Sequence, residues 1–167
     1  IGAPLYGLPQ DEPQFTLRQI PSSVFSGFVK NTRLVLKINK GTAAATKFYK
    51  DPYASPQRMV MVSGMTNQEI SDQFITNKDK IVKAFKAQEI QEKQRRTRKS
   101  LFNSTAISKQ FGINIQFPSI YRIAKQTDDF FWIRRDVKTG TVNLLLYTFP
   151  FDANITKEAL AKQVIKV

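Results

Sequence analysis

Alternating and helically spaced apolar positions divide the chain into short strands and one long helical stretch. Alternation at Phe15 and Leu17 predicts a first strand, and alternation over 34–39 predicts a second one. Between these strands, Ser22 can cap a short helix that has an apolar face. The continuous apolar run over 59–62 predicts a strand that is covered on both faces.

The strongest helical signal begins at Thr66. Thr66 and Glu69 have the spacing of a capping box, in which each side chain accepts a hydrogen bond from a backbone amide at the helix start. Apolar residues recur at helical spacing as far as Phe85, the residues over 91–100 are polar on all sides, and Gly112 is a suitable C-terminal cap. An unbroken helix would be about 65 Å long, which is too long for a compact domain of this size. We therefore expect a bend near 103–105, or a middle section that projects into solvent.

The last third of the chain is predicted to form antiparallel strands over 113–117, 121–123, 130–134 and 142–149. Lys138-Thr139-Gly140 fits a hairpin turn between the last two strands, and Asn154 or Thr156 can cap a final helix. The element order predicts an α+β fold, in which a mostly antiparallel sheet packs against one long helix, straight or bent, and against shorter helices.

The length of 167 residues predicts a single α+β domain over 1–167, with a long loop over 40–57. The chain begins with Ile1 and not with Met, so we interpret it as a fragment of a longer protein whose targeting signal, if any, lies upstream. It has no apolar run of eighteen residues of the kind that spans a membrane.

The amino-acid composition limits the catalytic and metal-binding functions that the chain can have. The chain has 26 Lys and Arg against 13 Asp and Glu, a net charge of +13, and it contains neither His nor Cys. The absence of imidazole and thiol excludes the commonest bases, nucleophiles and zinc ligands, so we expect no catalytic residue, no metal site and no cofactor. An enzyme that uses carboxylates or Lys on a polymer substrate stays open, and it would need Asp or Glu side chains that converge in a cleft.

The positive charge favours an anionic partner, such as nucleic acid, anionic lipid or lipopolysaccharide, an acidic glycan or an acidic protein. Two segments are candidates. The basic run over 93–99 can bind phosphate oxygens, or it can be an ordinary solvated helix face. The aromatic run 130–132 before two Arg can be a stacking platform for nucleic acid, or its rings can be buried in the core. The candidate partner- or anion-binding residues are Lys93, Arg95, Arg96, Arg98, Lys99, Arg134 and Arg135.

Several short motifs, taken in order, resemble a domain-of-unknown-function family of secreted, outer-membrane lipoproteins from Bacteroides-type bacteria. The motifs cover most of the chain: Gly7-Leu8-Pro9-Gln10 with Glu12-Pro13, Pro21-Ser22-Ser23 with Phe25 and Arg33, Asp51 with Ala54, Pro56 and Gln57, Phe111-Gly112-Ile113, Phe131-Trp132-Ile133-Arg134, and Tyr147-Thr148-Phe149-Pro150-Phe151.

The resemblance implies a signal peptide and a lipidated Cys, which this chain lacks, and a location in the bacterial cell envelope at the outer membrane. It also implies that the chain is the middle part of the family's longer sequence, or a divergent short member. The family carries no assigned activity. We therefore expect a non-enzymatic, membrane-associated lipoprotein module that binds a protein partner in an envelope complex or an anionic envelope component. The alternative is a nucleic-acid-binding module that contacts phosphates through its basic residues.

Overall fold

A computed structural model describes residues 12–148, together with 156 and 159. The α+β class is confirmed, but the strands form two separate three-stranded sheets and not one sheet. The chain divides into two compact units, Ile1–Arg95 and Arg96–Val167, here called unit 1 and unit 2. The single domain over 1–167 stays a prediction.

Unit 1 contains a sheet of β1 (Leu34–Lys40), β2 (Ala45–Lys50) and β3 (Arg58–Gly64) in the order β1-β3-β2. The central strand β3 pairs parallel with β1 and antiparallel with β2. The long helix α1 (Asn67–Thr97) follows β3 directly. The strands predicted over 34–39 and 59–62 are therefore confirmed as β1 and β3.

One face of this sheet packs against α1. Val60 and Val62 of β3 are buried with Ile81 and Phe85 of α1, which confirms the apolar helix face that the spacing of these residues predicted. The predicted cap is also present: the Thr66 hydroxyl accepts a hydrogen bond from the amide of Glu69 at 3.1 Å. The Glu69 carboxylate accepts one at 2.8 Å from the amide of Met65, one residue before the expected position.

The sequence-based assignment differs from unit 1 in three places. No strand forms at Phe15 and Leu17, because the alternation there reflects Phe15 packing against the apolar core and not a ladder partner. The predicted helix after Ser22 consists of two short 3-10 turns, Ser22–Val24 and Gly27–Asn31. The loop predicted over 40–57 contains β2, which is held by antiparallel pairing with β3 and not by a strong pattern of its own.

Unit 2 contains the short helix α2 (Thr105–Phe111) and a second antiparallel sheet of β4 (Arg122–Gln126), β5 (Phe130–Val137) and β6 (Gly140–Tyr147). Its core joins Ile107 of α2 to Phe131 and Ile133 of β5. Gly112 ends α2 in the left-handed conformation with φ of 66°, as its place in the sequence predicted. The predicted hairpin is confirmed, since Val137 pairs with Gly140 across a two-residue turn.

The remaining differences lie in unit 2 and at the end of α1. The long helix does not bend at 103–105; it ends at Thr97, and α2 starts at Thr105. The segment 113–117 forms no strand, although Ile115 and Phe117 pack into the core as the alternation suggested. The final helix, predicted to be capped by Asn154 or Thr156, lies almost wholly outside the described residues.

Candidate functional site

The five cations of the basic segment 93–99 lie at the C-terminal end of α1 and directly after it, and all are solvent-exposed. Lys93, Arg95 and Arg96 belong to the last turns of the helix, whereas Arg98 and Lys99 follow its last residue. This end of a helix carries partial negative charge, so the cations also stabilise the helix itself. The exposed positions agree with both interpretations of the segment, an anion-binding surface and a solvated helix face.

Arg95 has a defined partner within unit 1. Its guanidinium donates two hydrogen bonds to the buried carboxylate of Glu92, at 2.7 and 2.8 Å. The hydrogen bond to Glu92 and the nearby negative charge raise the pKa of Arg95 above its ordinary value. Because this pair compensates a carboxylate that is only 4% exposed, Arg95 has a structural role that any anionic ligand would have to compete with.

Arg134 lies in β5, on the face of the second sheet opposite α2. Residues that alternate along a strand share a face, so Trp132 and Asp136 lie on this side, while Phe131 and Ile133 are buried on the α2 side. The guanidinium of Arg134 lies 5.8 Å from the centre of the Trp132 ring, which is a cation–π distance. The Trp132 indole donates a hydrogen bond of 2.8 Å to the side chain of Asn143 in β6.

Two further cations join this face through the antiparallel register of β4. Arg122 pairs with Arg134, and Lys125 pairs with Trp132 after an irregularity between Ile123 and Lys125. Paired residues project to the same side, so Arg122 and Lys125, both exposed, belong to the face opposite α2. Sequence reasoning missed both residues, because neither lies in a basic run; the register of the β4–β5 pair is the signal that finds them.

We use the name basic sheet face for the residues that share this surface: Arg122, Lys125, Trp132, Arg134, Asp136 and Asn143. Asp136 is its acidic member. Its carboxylate accepts hydrogen bonds from Arg134 at 2.5 Å and from Arg122 at 3.4 Å. The hydrogen bond from Arg134 is the main reason why the pKa of Asp136 is lower than its ordinary value. The face thus holds three cations and one anion.

Arg135 projects to the other side of the sheet. Its guanidinium lies 5.2 Å from the centre of the Tyr121 ring, and Tyr121 packs against the core of unit 2. The structure therefore separates Arg134 and Arg135, which the sequence analysis had grouped. The predicted aromatic run is divided in the same way, because Phe131 is fully buried in the core whereas Trp132 remains partly exposed on the basic sheet face.

The acidic side chains of the described residues serve mostly local structure. They cap a helix, close a turn, accept a hydrogen bond from a nearby side chain, or pair with an Arg, which for Glu89 is the distant Arg33. The residues with these roles are Asp51, Glu69, Asp72, Glu89, Glu92, Asp129 and Asp136. Within the part of the chain that the structure describes, no group of three or more His, Cys, Asp or Glu side chains could hold a metal ion. The described helices likewise include none with the length and apolar character of a membrane span.

The paired state of Asp136 leads to a pH-dependent prediction. A carboxyl group whose pKa is lowered by folding stabilises the protein above its unfolded pKa, near 3.8, and this contribution is lost as the pH falls through the lower folded pKa. We expect Asp136→Asn to be less stable than the wild type at pH 6, and we expect this difference to be smaller at pH 2, below the unfolded pKa. Urea unfolding at both pH values measures the difference. If the variant and the wild type are equally stable at pH 6, the pairing of Asp136 with Arg134 does not stabilise the protein. Asp128→Asn is a suitable control, because among the described residues no hydrogen bond or ion pair involves its carboxylate.

Comparison with protein families agrees with the division of the chain. A family described as Domain of unknown function (DUF8532) matches residues 1–98, which is more than half of the chain, so the chain belongs to that family. A second one, Domain of unknown function (DUF4837), matches residues 100–167. The change from one family to the other falls close to the boundary between Arg95 and Arg96 that separates the two units. Neither a curated protein nor a solved structure matches the chain.

Proposed function

We propose that this chain is a non-enzymatic module of a bacterial cell-envelope lipoprotein, and that it binds an anionic envelope component through the basic sheet face. The observation that carries the proposal is the convergence of Arg122, Lys125 and Arg134 around a partly exposed Trp132. Among the described residues of this face, Asp136 supplies the only carboxylate. The arrangement presents donors for phosphate or carboxylate oxygens beside an amphipathic ring, which suits the interface between a charged head group and an apolar layer.

The envelope location and the lipid anchor rest on the resemblance of the motifs, and both concern the longer protein. They are tested by expressing the full-length gene product in its own host, separating inner and outer membranes, and following the incorporation of a labelled fatty acid. Recovery in the outer-membrane fraction with the label attached supports the proposal. Recovery of unlabelled protein in the soluble fraction contradicts it.

Binding to an anionic surface is tested with vesicles. The protein should bind vesicles that contain phosphatidylglycerol, should not bind vesicles of phosphatidylcholine alone, and should be released as the salt concentration rises, because exposed charges are screened. We expect the double variant Arg122→Glu/Lys125→Glu to bind at least about tenfold more weakly, since each basic residue near an anionic surface contributes roughly 1 kcal/mol. Co-sedimentation measures the bound fraction.

A matched control separates the surface from the net charge. Lys47→Glu/Lys78→Glu makes the same change in net charge at two exposed positions of unit 1. This control should retain most of the binding if the basic sheet face makes the contact. Equal weakening in both double variants would show that only the net charge matters, and that result would reject the assignment of the site.

Binding to single-stranded nucleic acid is the second candidate, and Trp132 is the observation that favours it. A partly exposed indole next to Arg134 can stack on a base while the cations contact phosphates. Trp132 is the only tryptophan, so its fluorescence reports on this face directly. Quenching of the Trp132 fluorescence by a fifteen-nucleotide oligothymidylate at low salt, reversed at high salt, would favour this candidate. An unchanged emission spectrum would exclude it.

A further inference from the structure

Unit 1 contains an open groove of about 1410 Å³ that is separate from the basic sheet face. One wall is strand β1, and the other is the irregular segment over 15–21 that precedes the first 3-10 turn. Phe15 fixes this segment to the core, because its ring makes an edge-to-face contact with Phe85 at 6.0 Å. The lining is largely apolar, and two of its apolar residues are strongly exposed, Phe28 to 85% and Leu17 to 64%.

The groove runs along the free edge of β1. In the order β1-β3-β2, the strand β1 pairs on one side only among the described residues. The carbonyl oxygen of Arg33 accepts a hydrogen bond from the amide of Arg58 at the start of β3, so every second residue from Arg33 onward directs its backbone groups to β3. The intervening residues, Leu34, Leu36 and Ile38, direct their amides and carbonyls to the groove, and all three line it.

These backbone groups have no partner in the opposite wall. Within the described part of the chain, the segment from Phe15 to Ile20 makes no backbone hydrogen bond to β1. An apolar groove with a row of unpaired amides and carbonyls favours one kind of occupant. A lipid chain would remove water from these groups without replacing its hydrogen bonds, at a substantial free-energy cost. A polypeptide strand would both fill the apolar space and pair with the edge.

The charge of the groove indicates the composition of such a strand. Arg18 and Lys37 line the groove, and its described lining residues include no Asp or Glu. A segment with acidic residues beside its apolar ones therefore complements the site better than a basic one. We propose that the groove binds an acidic polypeptide segment of a partner protein in extended conformation, which adds a strand to the free edge of β1.

The test uses a defined probe. A synthetic ten-residue peptide of alternating Val and Thr with Glu at both ends can pair as a strand, whereas a version with two of the Thr replaced by Pro cannot. The full chain is titrated with each peptide while backbone amides are followed by nuclear magnetic resonance. The expected result is that only the first peptide shifts the amides of Leu34, Leu36 and Ile38 and slows their hydrogen exchange.

A variant pair tests the contribution of the edge. The amide of Ile38 points into the groove and not to β3, so Ile38→Pro removes one edge donor without removing a ladder bond. We expect its affinity for the peptide to fall at least about tenfold. This fall corresponds to the loss of one or two hydrogen bonds between the edge of β1 and the peptide. Ile38→Val keeps the amide and should bind within about twofold of the wild type. If Ile38→Pro does not fold, Leu17→Ser/Phe28→Ser replaces two other apolar residues that line the groove, and it should also weaken binding.

Three outcomes would overturn the proposal. The first is the absence of any amide shift with the unmodified peptide at millimolar concentration. The second is slow exchange of the three amides in the free, monomeric protein, because it would mean that the edge is already occupied by residues of the same chain. The third is a concentration-dependent dimer, detected by sedimentation, that protects the same amides, because the occupant would then be a second copy.

Discussion

Replacing Phe131 by Ala is expected to destabilise unit 2 by about 3–5 kcal/mol, the usual cost of truncating a large buried aromatic side chain. Phe131 is fully buried in β5, and its ring makes an edge-to-face contact with Phe111 of α2 at 5.2 Å. The substitution therefore leaves a cavity between the sheet and the helix and removes an aromatic contact as well. Urea unfolding followed through the emission of Trp132 measures the effect within the same sheet.

The control for this prediction is Leu145→Ala in the neighbouring strand β6. Leu145 is 52% exposed, so truncation of its side chain should cost no more than about 1 kcal/mol. Similar losses for the two variants would show that Phe131 does not organise the core of unit 2.

Replacing Gln57 by Leu is expected to destabilise unit 1 by about 3 kcal/mol or more, because the loss of a buried polar partner costs about 1–3 kcal/mol for each group left unpaired. The Gln57 side chain is fully buried. Its amide nitrogen donates to the carbonyl oxygens of Lys30 and Thr32, at 2.6 and 2.7 Å, and its carbonyl oxygen accepts from the amide of Tyr53 at 3.1 Å. Leu fills a similar volume but satisfies none of these groups.

Far-ultraviolet circular dichroism during urea unfolding, together with hydrogen exchange at the amide of Tyr53, measures this effect. Gln94→Leu makes the same chemical change on the exposed surface of α1 and should alter stability by less than about 0.5 kcal/mol. Fast exchange of the Tyr53 amide in the Gln57 variant, and not in the Gln94 variant, would show that the stability is lost around the Gln57 side chain. A Gln57→Leu variant as stable as the wild type would contradict the prediction.

The parts of the fold that the sequence predicts correctly are those determined by local signals. The capping box at Thr66 and the left-handed Gly112 depend on neighbouring residues alone, and both are present. The continuous apolar run of β3 matches its burial, since Met59, Val60 and Val62 are all buried, and β3 is the central strand of its sheet. These caps and this buried strand can be predicted from nearby residues alone, without knowing which distant segments they contact.

The errors arise where pairing over long distance decides the structure. The segment around Phe15 and the segment 113–117 both alternate, yet each packs apolar side chains into a core without a ladder partner. β2 has a weak pattern of its own and is a strand because β3 offers it a pairing edge. Alternation reports which side chains are buried, and it does not report whether the backbone is hydrogen-bonded.

The difference between local patterns and long-range strand pairing also determines how much of the basic sheet face can be predicted from the sequence. Arg134 was a candidate because it follows an aromatic run, and it lies on that face next to Trp132. Arg122 and Lys125 reach the face through the register of β4 with β5, including an irregularity that no local pattern announces. Charge density along the chain therefore located the segment 93–99 but not the cations that antiparallel pairing brings together.

The two sheets also differ in the order in which they can assemble. In unit 2 each strand pairs with its neighbour along the chain, and β5 and β6 are joined by only two residues. These pairs join residues that are close in sequence, so they can form early in folding. In unit 1 the parallel pair of β1 and β3 closes a loop that contains all of β2. Closing that loop costs more conformational entropy than closing the shorter β2–β3 hairpin, so we expect the hairpin to form before β1 joins the first sheet.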